Sequence, residues 1–167
     1  LNQELKENGI DIVDDIFVDG RLTEVPDWVV VSLYEGNDFY ERMNVAGHIL
    51  TNGQFNKYHY LATSKGRGWT RTNGITPGIG CTIAALEKFI EYGRNPKIIG
   101  KPSTEATDFA FEKWNINPEK TLLVGDKWSD MKTAQLYKLL GVKVESVKQD
   151  FFEGIETAKI EPSLVLK

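Results

Sequence analysis

The sequence predicts an α/β protein: a partial, doubly wound parallel sheet in the second half of the chain and a separate α/β lobe ahead of it. Two observations carry most of this. Short apolar runs bounded by turn residues, such as Trp28-Val29-Val30-Val31-Ser32-Leu33 and Thr121-Leu122-Leu123-Val124, alternate with segments whose apolar residues recur every three to four positions. The former suit strands and the latter helices, and their alternation with short links implies parallel βαβ units. A third observation separates the halves: residues 64–80 are rich in glycine and predict irregular backbone, a natural boundary between lobes.

Taken in order, Leu1 to Asn8 reads as a helix closed by Gly9. The chain opens inside that helix without an initiator Met, which reads as an internal point of a longer protein. Ile10 to Val18 alternates enough for a strand or two before the turn-rich Asp19-Gly20-Arg21. The valine run from Trp28 to Leu33 predicts a strand buried on both faces. Asp38 to Leu50 predicts a helix, with Phe39, Met43, Ala46 and Leu50 on one side. Asn52-Gly53 punctuates the chain, and Tyr58 to Thr63 is the next strand. Beyond the glycine-rich interval come a helix over Thr82–Tyr92, a strand over Pro96–Gly100 and a helix over Thr104–Trp114. After the strand ending in Val124 follow a helix over Asp130–Leu140, closed by Gly141, and a strand over Val142–Val147. No internal repeat or low-complexity tract interrupts the pattern.

The gross numbers narrow the function classes. With 167 residues, 41% hydrophobic and 26% charged, the chain is long enough for a real apolar core in one domain or two small ones. A net charge of −4 calls for neither nucleic acid nor an acidic membrane surface as partner. No apolar run is long enough for a membrane-spanning helix, and the first residues are not a signal peptide. The single cysteine, Cys81, has no intramolecular partner and reads as a small semi-buried thiol; its solitude fits a reducing cytoplasm.

Chemistry is expected at the carboxyl ends of the strands, where doubly wound sheets place their ligands. Lys101 follows a strand on the Gly100-Lys101-Pro102 turn, from which an ammonium can meet a phosphate, although a lysine in a turn is often merely solvated. Gly125-Asp126-Lys127-Trp128-Ser129-Asp130 ends another strand with two acids, a set suited to Mg²⁺. Asp130 also fits as the first-turn acid of the following helix. Together, a lysine after one strand and an acid pair after the next bring a cation, a metal and a phosphate to one sheet edge.

At these positions the sequence resembles the haloacid dehalogenase (HAD) superfamily of hydrolases. The segments are Asn73-Gly74-Ile75-Thr76-Pro77-Gly78-Ile79-Gly80 with Ala84-Ala85-Leu86-Glu87, then Ile98-Ile99-Gly100-Lys101-Pro102-Ser103, then Leu122-Leu123-Val124-Gly125-Asp126. They are similar to the branch of 4-nitrophenyl phosphatases, phosphoglycolate and pyridoxal phosphatases and NagD-like enzymes, tightly from about Ala62 to Val147 and loosely before. The resemblance implies a Rossmann-like HAD core with an α/β cap, divided here as an incomplete cap over residues 1–74 and the C-terminal half of the core over 75–167. It implies that Lys101 neutralises the phosphoryl group and the nucleophile, that Asp126 binds Mg²⁺, and that Asp130 supports that metal site. In this chemistry an aspartate attacks phosphorus, a second aspartate two residues on protonates the leaving group, and water hydrolyses the aspartyl-phosphate.

The match has gaps. The family's Asp-x-Asp nucleophile motif and its Ser or Thr motif lie upstream of the cap, and this chain has neither; Asp14-Asp15 and Asp150 do not follow a suitable strand. The missing strand would neighbour Leu122–Val124, so the core sheet is expected to be incomplete, with an unprotected edge. The missing core segment must then come from outside the chain or from a second chain, and the 167 residues alone are expected to be inactive. The cap loop of NagD-like members, Ala-Thr-Asn-Pro-Asp, is replaced by Ala62-Thr63-Ser64-Lys65-Gly66-Arg67-Gly68-Trp69, so substrate preference does not carry over. Thr63, Ser64, Arg67 and Trp69 are the candidate substrate contacts, with a solvated basic loop as the alternative. His48 and His59 lack metal-ligand partners in spacing and read as structural; Trp28, Trp114 and Trp128 read as core or lobe packing.

The expectation is therefore a Mg²⁺-dependent phosphatase acting on a small phosphorylated metabolite in the cytoplasm, with a homodimer among its allowed assemblies. A non-catalytic HAD-like homologue that binds phosphate or a protein is the alternative. A phosphotransferase of the same superfamily is a third.

Overall fold

The computed structural model describes residues 2–13, 16–56, 59–71, 74–90, 94–144 and 164–166. Its secondary structure falls into two parallel three-stranded sheets, each with helices, and two small antiparallel hairpins.

Helix α1 (Asn2–Glu7) ends as the sequence predicts, with Gly9 at φ +74° just beyond it. The strand expected from Ile10 to Val18 is reduced to a hairpin of β1 (Phe17–Val18) and β2 (Arg21–Leu22). Its two turn residues, Asp19 and Gly20, have φ of 50° and 76°, the backbone that a tight hairpin needs at both positions. Asp14 and Asp15 lie outside the described residues.

The first three-stranded sheet is built from β3 (Val29–Val31), β4 (Tyr60–Ala62) and β7 (Lys97–Ile98), all parallel, in that order. Helices α2 (Phe39–Thr51) and α3 (Ile79–Phe89) complete one core, in which Val29 and Val31 meet Leu50, Tyr60, Ile83 and Leu86. Val29 and Val31 are buried while Val30 is 47% exposed. The run thus alternates, because β3 is an edge strand covered on one face only, and is not buried on both faces as its composition suggested. The two helices approach closely at Gly47, where a Cβ would lie 2.7 Å from the Phe89 ring. His48 stacks on Phe17 and meets Phe89 edge-on, the structural role expected of it.

The core and sheet run straight through the boundary expected at residues 74/75. Helix α3 and β7, which lie after it, complete the same layer as β3 and β4. The glycine-rich interval is not regular throughout, as expected, since residues 64–67 form neither helix nor strand, but β5 (Gly68–Arg71) and β6 (Gly74–Pro77) within it form an antiparallel hairpin with Trp69 opposite Thr76. The glycines serve close approach instead, since a Cβ on Gly78 or Gly80 would come within 2.5 or 2.4 Å of backbone oxygens in the Lys65–Gly66 segment. Cys81 sits at this junction, exposed, with its thiol donating to the Arg67 carbonyl; it is not semi-buried.

The second sheet has β8 (Leu122–Gly125), β9 (Leu140–Val144) and β10 (Leu164–Leu166) parallel in that order, and β10 was not foreseen. Helix α4 (Glu105–Trp114) and a 3-10 turn at Pro118–Lys120 lead into β8, and α5 (Trp128–Tyr137) links β8 to β9. Lys138, at φ 55°, ends α5, so Gly141 is not its stop signal. Gly141 lies inside β9, where a Cβ would meet Ala134 of α5 at 3.1 Å, and its lack of a side chain lets helix and sheet touch. On the opposite face Leu122, Val124 and Leu140 are 52%, 56% and 58% exposed, while Val142 is buried. Strand β8 is the sheet edge among the described residues. Trp28 and Trp114 are 50% and 64% exposed, so neither packs in a core: Trp28 stacks on His59, and Trp114 lies at the end of α4, which buries none of its residues.

Candidate active site

The parallel order of each sheet sends every strand's carboxyl end to the same side. In the first sheet these ends deliver Ser32, Thr63 and Gly100-Lys101; in the second, β8 delivers Gly125-Asp126. The ends are stitched together. Thr63 donates its N–H to Val31 O at 3.0 Å, and Ile99 donates to Ala62 O at 3.0 Å, which extends the pairing past the last strand residues. The Thr63 hydroxyl lies 3.4 Å from the Ser32 hydroxyl. Gly100 packs so tightly on Thr63 that a Cβ there would lie 2.0 Å from the Thr63 carbonyl oxygen. The turn that carries Lys101 therefore rests on the loop that carries Thr63 and Ser64.

Lys101 in turn spans the two sheets, its ammonium paired with Oδ1 of Asp130. The Asp130 side chain is 6% exposed and that of Lys101 55%. Asp130 Oδ2 accepts from the Lys127 N–H at 3.1 Å, which satisfies an orphan donor at the start of α5. Asp130 is thus the first-turn acid of α5 and at the same time the partner of Lys101. Gly125 leaves room for this carboxylate: a Cβ there would come within 2.4 Å of it. Asp126, the next residue, is exposed at the strand end.

Of the cap-loop candidates, Thr63 and Ser64 lie beside the Lys101 turn. The Ser64 hydroxyl accepts from the Gly66 N–H at 3.0 Å, which shapes the loop. Arg67 is exposed and its carbonyl accepts from the Gly78 N–H at 2.8 Å, which ties the loop to the start of α3. Trp69 lies half-buried on β5. Sequence reasoning passed over Ser32, Gly100, Gly125 and the Lys127 N–H. Ser32 was findable, as the polar residue at the end of a valine run whose parallel neighbour ends in Thr63. The two glycines act through contacts distant in sequence and gave no local signal.

The donors at this edge are an ammonium and two carboxylates, all suited to a phosphate and a hard divalent ion. Asp126 is an exposed carboxylate of the kind that suits Mg²⁺, and both oxygens of Asp130 have partners in Lys101 and the Lys127 N–H. No group of three or more His, Cys, Asp or Glu able to hold a metal occurs among the described residues, so the remaining ligands would be phosphate, water or another segment.

Several known proteins are similar to this chain. A family model for HAD-hydrolase-like domains matches residues 98–167. The 4-nitrophenylphosphatase of Thermotoga maritima superposes on 99% of the chain with a TM-score of 0.75 and 28% identity, and the match covers 57% of that protein. The ribonucleotide monophosphatase NagD of Escherichia coli is 31% identical over 106 residues, 63% of this chain and 38% of NagD. A zebrafish phospholysine phosphohistidine inorganic pyrophosphate phosphatase is 27% identical over 131 residues, 78% of this chain and 47% of its own. The chain spans about half the length, or less, of the curated relatives it matches. No described helix is long and apolar enough to cross a membrane. In its parallel sheets and over residues 98–167 the chain is thus similar to HAD-like hydrolases, with NagD and the 4-nitrophenylphosphatases among its relatives.

Proposed function

We propose that these residues form part of a Mg²⁺-dependent phosphatase that hydrolyses a small phosphate monoester through an aspartyl-phosphate. The observation that carries the reading is the Lys101–Asp130 pair, which fixes an ammonium beside the strand end that bears Asp126. Lys101 would hold a phosphoryl oxygen and offset its charge as the ester bond breaks. Asp130 is a positioning residue: buried and bonded to the Lys127 N–H, it aims the ammonium and fixes the first turn of α5. Asp126 would hold Mg²⁺, with Asp130 behind it; the ion, when bound, supplies Lewis-acid polarisation of the phosphoryl oxygens. Thr63 and Ser64, packed against Gly100, would face the leaving group, with Arg67 and Trp69 farther along the same loop.

The nucleophile is assigned to a segment outside the 167 residues, because no Asp-x-Asp occurs anywhere in them. A carboxylate on that segment attacks phosphorus, the alcohol leaves with a proton from the second acid, and water then releases phosphate. On this reading the lobes divide at the turn after β7, with the first sheet as cap and the second as core. The lone cysteine fits a cytoplasmic setting. The same missing motif favours the second reading, a non-catalytic homologue that binds phosphate or a protein.

The test joins the chain to an Asp-x-Asp segment and measures phosphate release from 4-nitrophenyl phosphate. Lys101→Ala is expected to lower kcat/KM by ~10²-fold or more, and Asp126→Asn to raise the Mg²⁺ requirement or abolish turnover. Full activity in both variants would sink the site assignment, and no hydrolysis in the joined protein would favour the binding homologue.

A further inference from the structure

The Lys101 side chain is half-exposed and reaches Asp130 over a flexible four-carbon stem, so the ion pair by itself leaves the ammonium free to swing about the carboxylate. Lysine is among the side chains that lose most rotamer freedom when held in one geometry. An ammonium that stays in one place therefore needs the backbone it grows from to be fixed as well.

Two contacts fix that backbone. Ahead of Lys101, Gly100 packs on the Thr63 carbonyl. Beyond it, Thr104, the residue that precedes α4, accepts from the Tyr137 hydroxyl at 3.0 Å. That hydroxyl has one proton, shared with a second acceptor one helical turn on, Oδ1 of Asp108 at 2.5 Å. Either bond ties Tyr137 to the start of α4. The Tyr137 ring is half-buried and lies against Phe111 of the same helix, with centroids 5.1 Å apart. Desolvation and the bond to Asp108 push its phenol up to about 12, so the hydroxyl remains a donor well beyond neutral pH.

Tyr137 is the last residue of α5, and Asp130 lies in the first turn of that helix. At a rise of ~1.5 Å per residue the two are about 10 Å apart. Helix α5 thus grips the Lys101 segment twice, at the ammonium through Asp130 and at the backbone three residues later through Tyr137. A further tie, Glu105 to Lys97 at 3.1 Å, joins side chains 38% and 59% exposed and constrains the turn less.

We propose that Tyr137 is a positioning residue: by holding Thr104 and Asp108 it fixes the backbone from which Lys101 reaches Asp130, and so the point at which the ammonium meets a phosphoryl oxygen. The catalytic consequence rests on the phosphatase reading; the positioning does not. Tyr137→Phe removes the hydroxyl and keeps the ring on Phe111. In the 167-residue chain, nitrogen NMR relaxation is expected to show a lower order parameter for the Lys101 ammonium in this variant than in the parent. The ammonium of Lys132, bonded to Gln135 within α5, should be unchanged. An unaltered Lys101 ammonium, or equal loosening at Lys132, overturns the positioning role.

In the protein joined to an Asp-x-Asp segment, Tyr137→Phe is expected to lower kcat for 4-nitrophenyl phosphate ~10-fold and to leave KM within about twofold, because the ammonium offsets charge that develops as the ester bond breaks. In a Lys101→Ala background the same substitution should change kcat by less than about twofold, since the side chain it acts through is gone. A loss as large in that background shows that Tyr137 acts elsewhere and overturns the proposal, as does full activity of Tyr137→Phe. A joined protein that hydrolyses no ester overturns the phosphatase reading and the catalytic consequence with it, while the ammonium measurement still decides the positioning.

Discussion

Tyr60 sits in the middle of β4, 1% exposed, with a hydroxyl that has no hydrogen-bond partner among the described residues. Burial, with a smaller contribution from Glu87, pushes its phenol from 10.0 up to about 12. In the unfolded chain the phenol ionises near pH 10, so between pH 10 and 12 unfolding releases a proton and stability falls as pH rises. Tyr137 adds a second such step, raised to about 12 by desolvation and by its bond to Asp108. Tyr60→Phe is expected to match the parent or exceed it by up to ~1 kcal/mol at neutral pH, since it removes an unsatisfied buried oxygen. It should also flatten, without abolishing, the alkaline loss. Urea melts at pH 7 and pH 11 check both, and a variant as alkali-sensitive as the parent would show that Tyr60 is solvated. That Tyr60 is buried was legible in its strand, but its missing partner was not, because hydrogen bonding depends on which elements meet.

At the scale of elements, sequence periodicity located each helix and most strands, and it failed where a contact between elements decided the outcome. Gly141 reads locally as a helix stop and is instead a close-packing site under Ala134. The glycines of 64–80 read as a boundary between lobes that is not regular throughout, and in the fold they let the hairpin and the start of α3 pack backbone on backbone. The strand ends that carry Lys101, Asp126 and Asp130 were legible from the alternation of apolar runs and helical segments. The glycines that hold them were not. This gives a prediction for Gly125 and Gly100. Gly125→Ala places a methyl 2.4 Å from the Asp130 carboxylate, and Gly100→Ala one 2.0 Å from the Thr63 carbonyl. The first should cost ~1–3 kcal/mol and the second about 3 kcal/mol or more, because its obstacle is backbone and cannot turn aside. Gly53→Ala, which meets nothing within 4 Å, is the control and should change stability little. Denaturant midpoints that rank the three otherwise would contradict the packing described at the site.

For the molecule as a whole, the two sheets are not equally finished. The first packs its strands against α2 and α3 around the larger buried core, whereas the second has α5 on one face and leaves Leu122, Val124 and Leu140 half-exposed on the other, with only Val142 buried there. Parallel sheets are stable with both faces covered, and an uncovered parallel edge invites pairing. Leu122, Val124 and Leu140 form an apolar strip beside the free edge of β8, and Phe109 and Trp114 of α4 are 58% and 64% exposed. The charge and composition of the chain gave no hint of this, since its percentages are those of an ordinary globular protein; among the described residues no strand pairs with the outer side of β8. A strand added parallel to β8 would end beside Asp126, about 5 Å away by strand spacing, which is where the proposed chemistry needs a nucleophile. The isolated chain is therefore expected to bind a hydrophobic dye such as ANS, and Leu122→Lys with Val124→Glu should at least halve the fluorescence. The same pair of substitutions should prevent a separately supplied Asp-x-Asp segment from restoring hydrolysis, while the far-UV spectrum stays that of the parent. Unchanged dye binding would mean that the strip is covered in solution. Restored hydrolysis would mean that the nucleophile approaches from a direction other than the edge of β8.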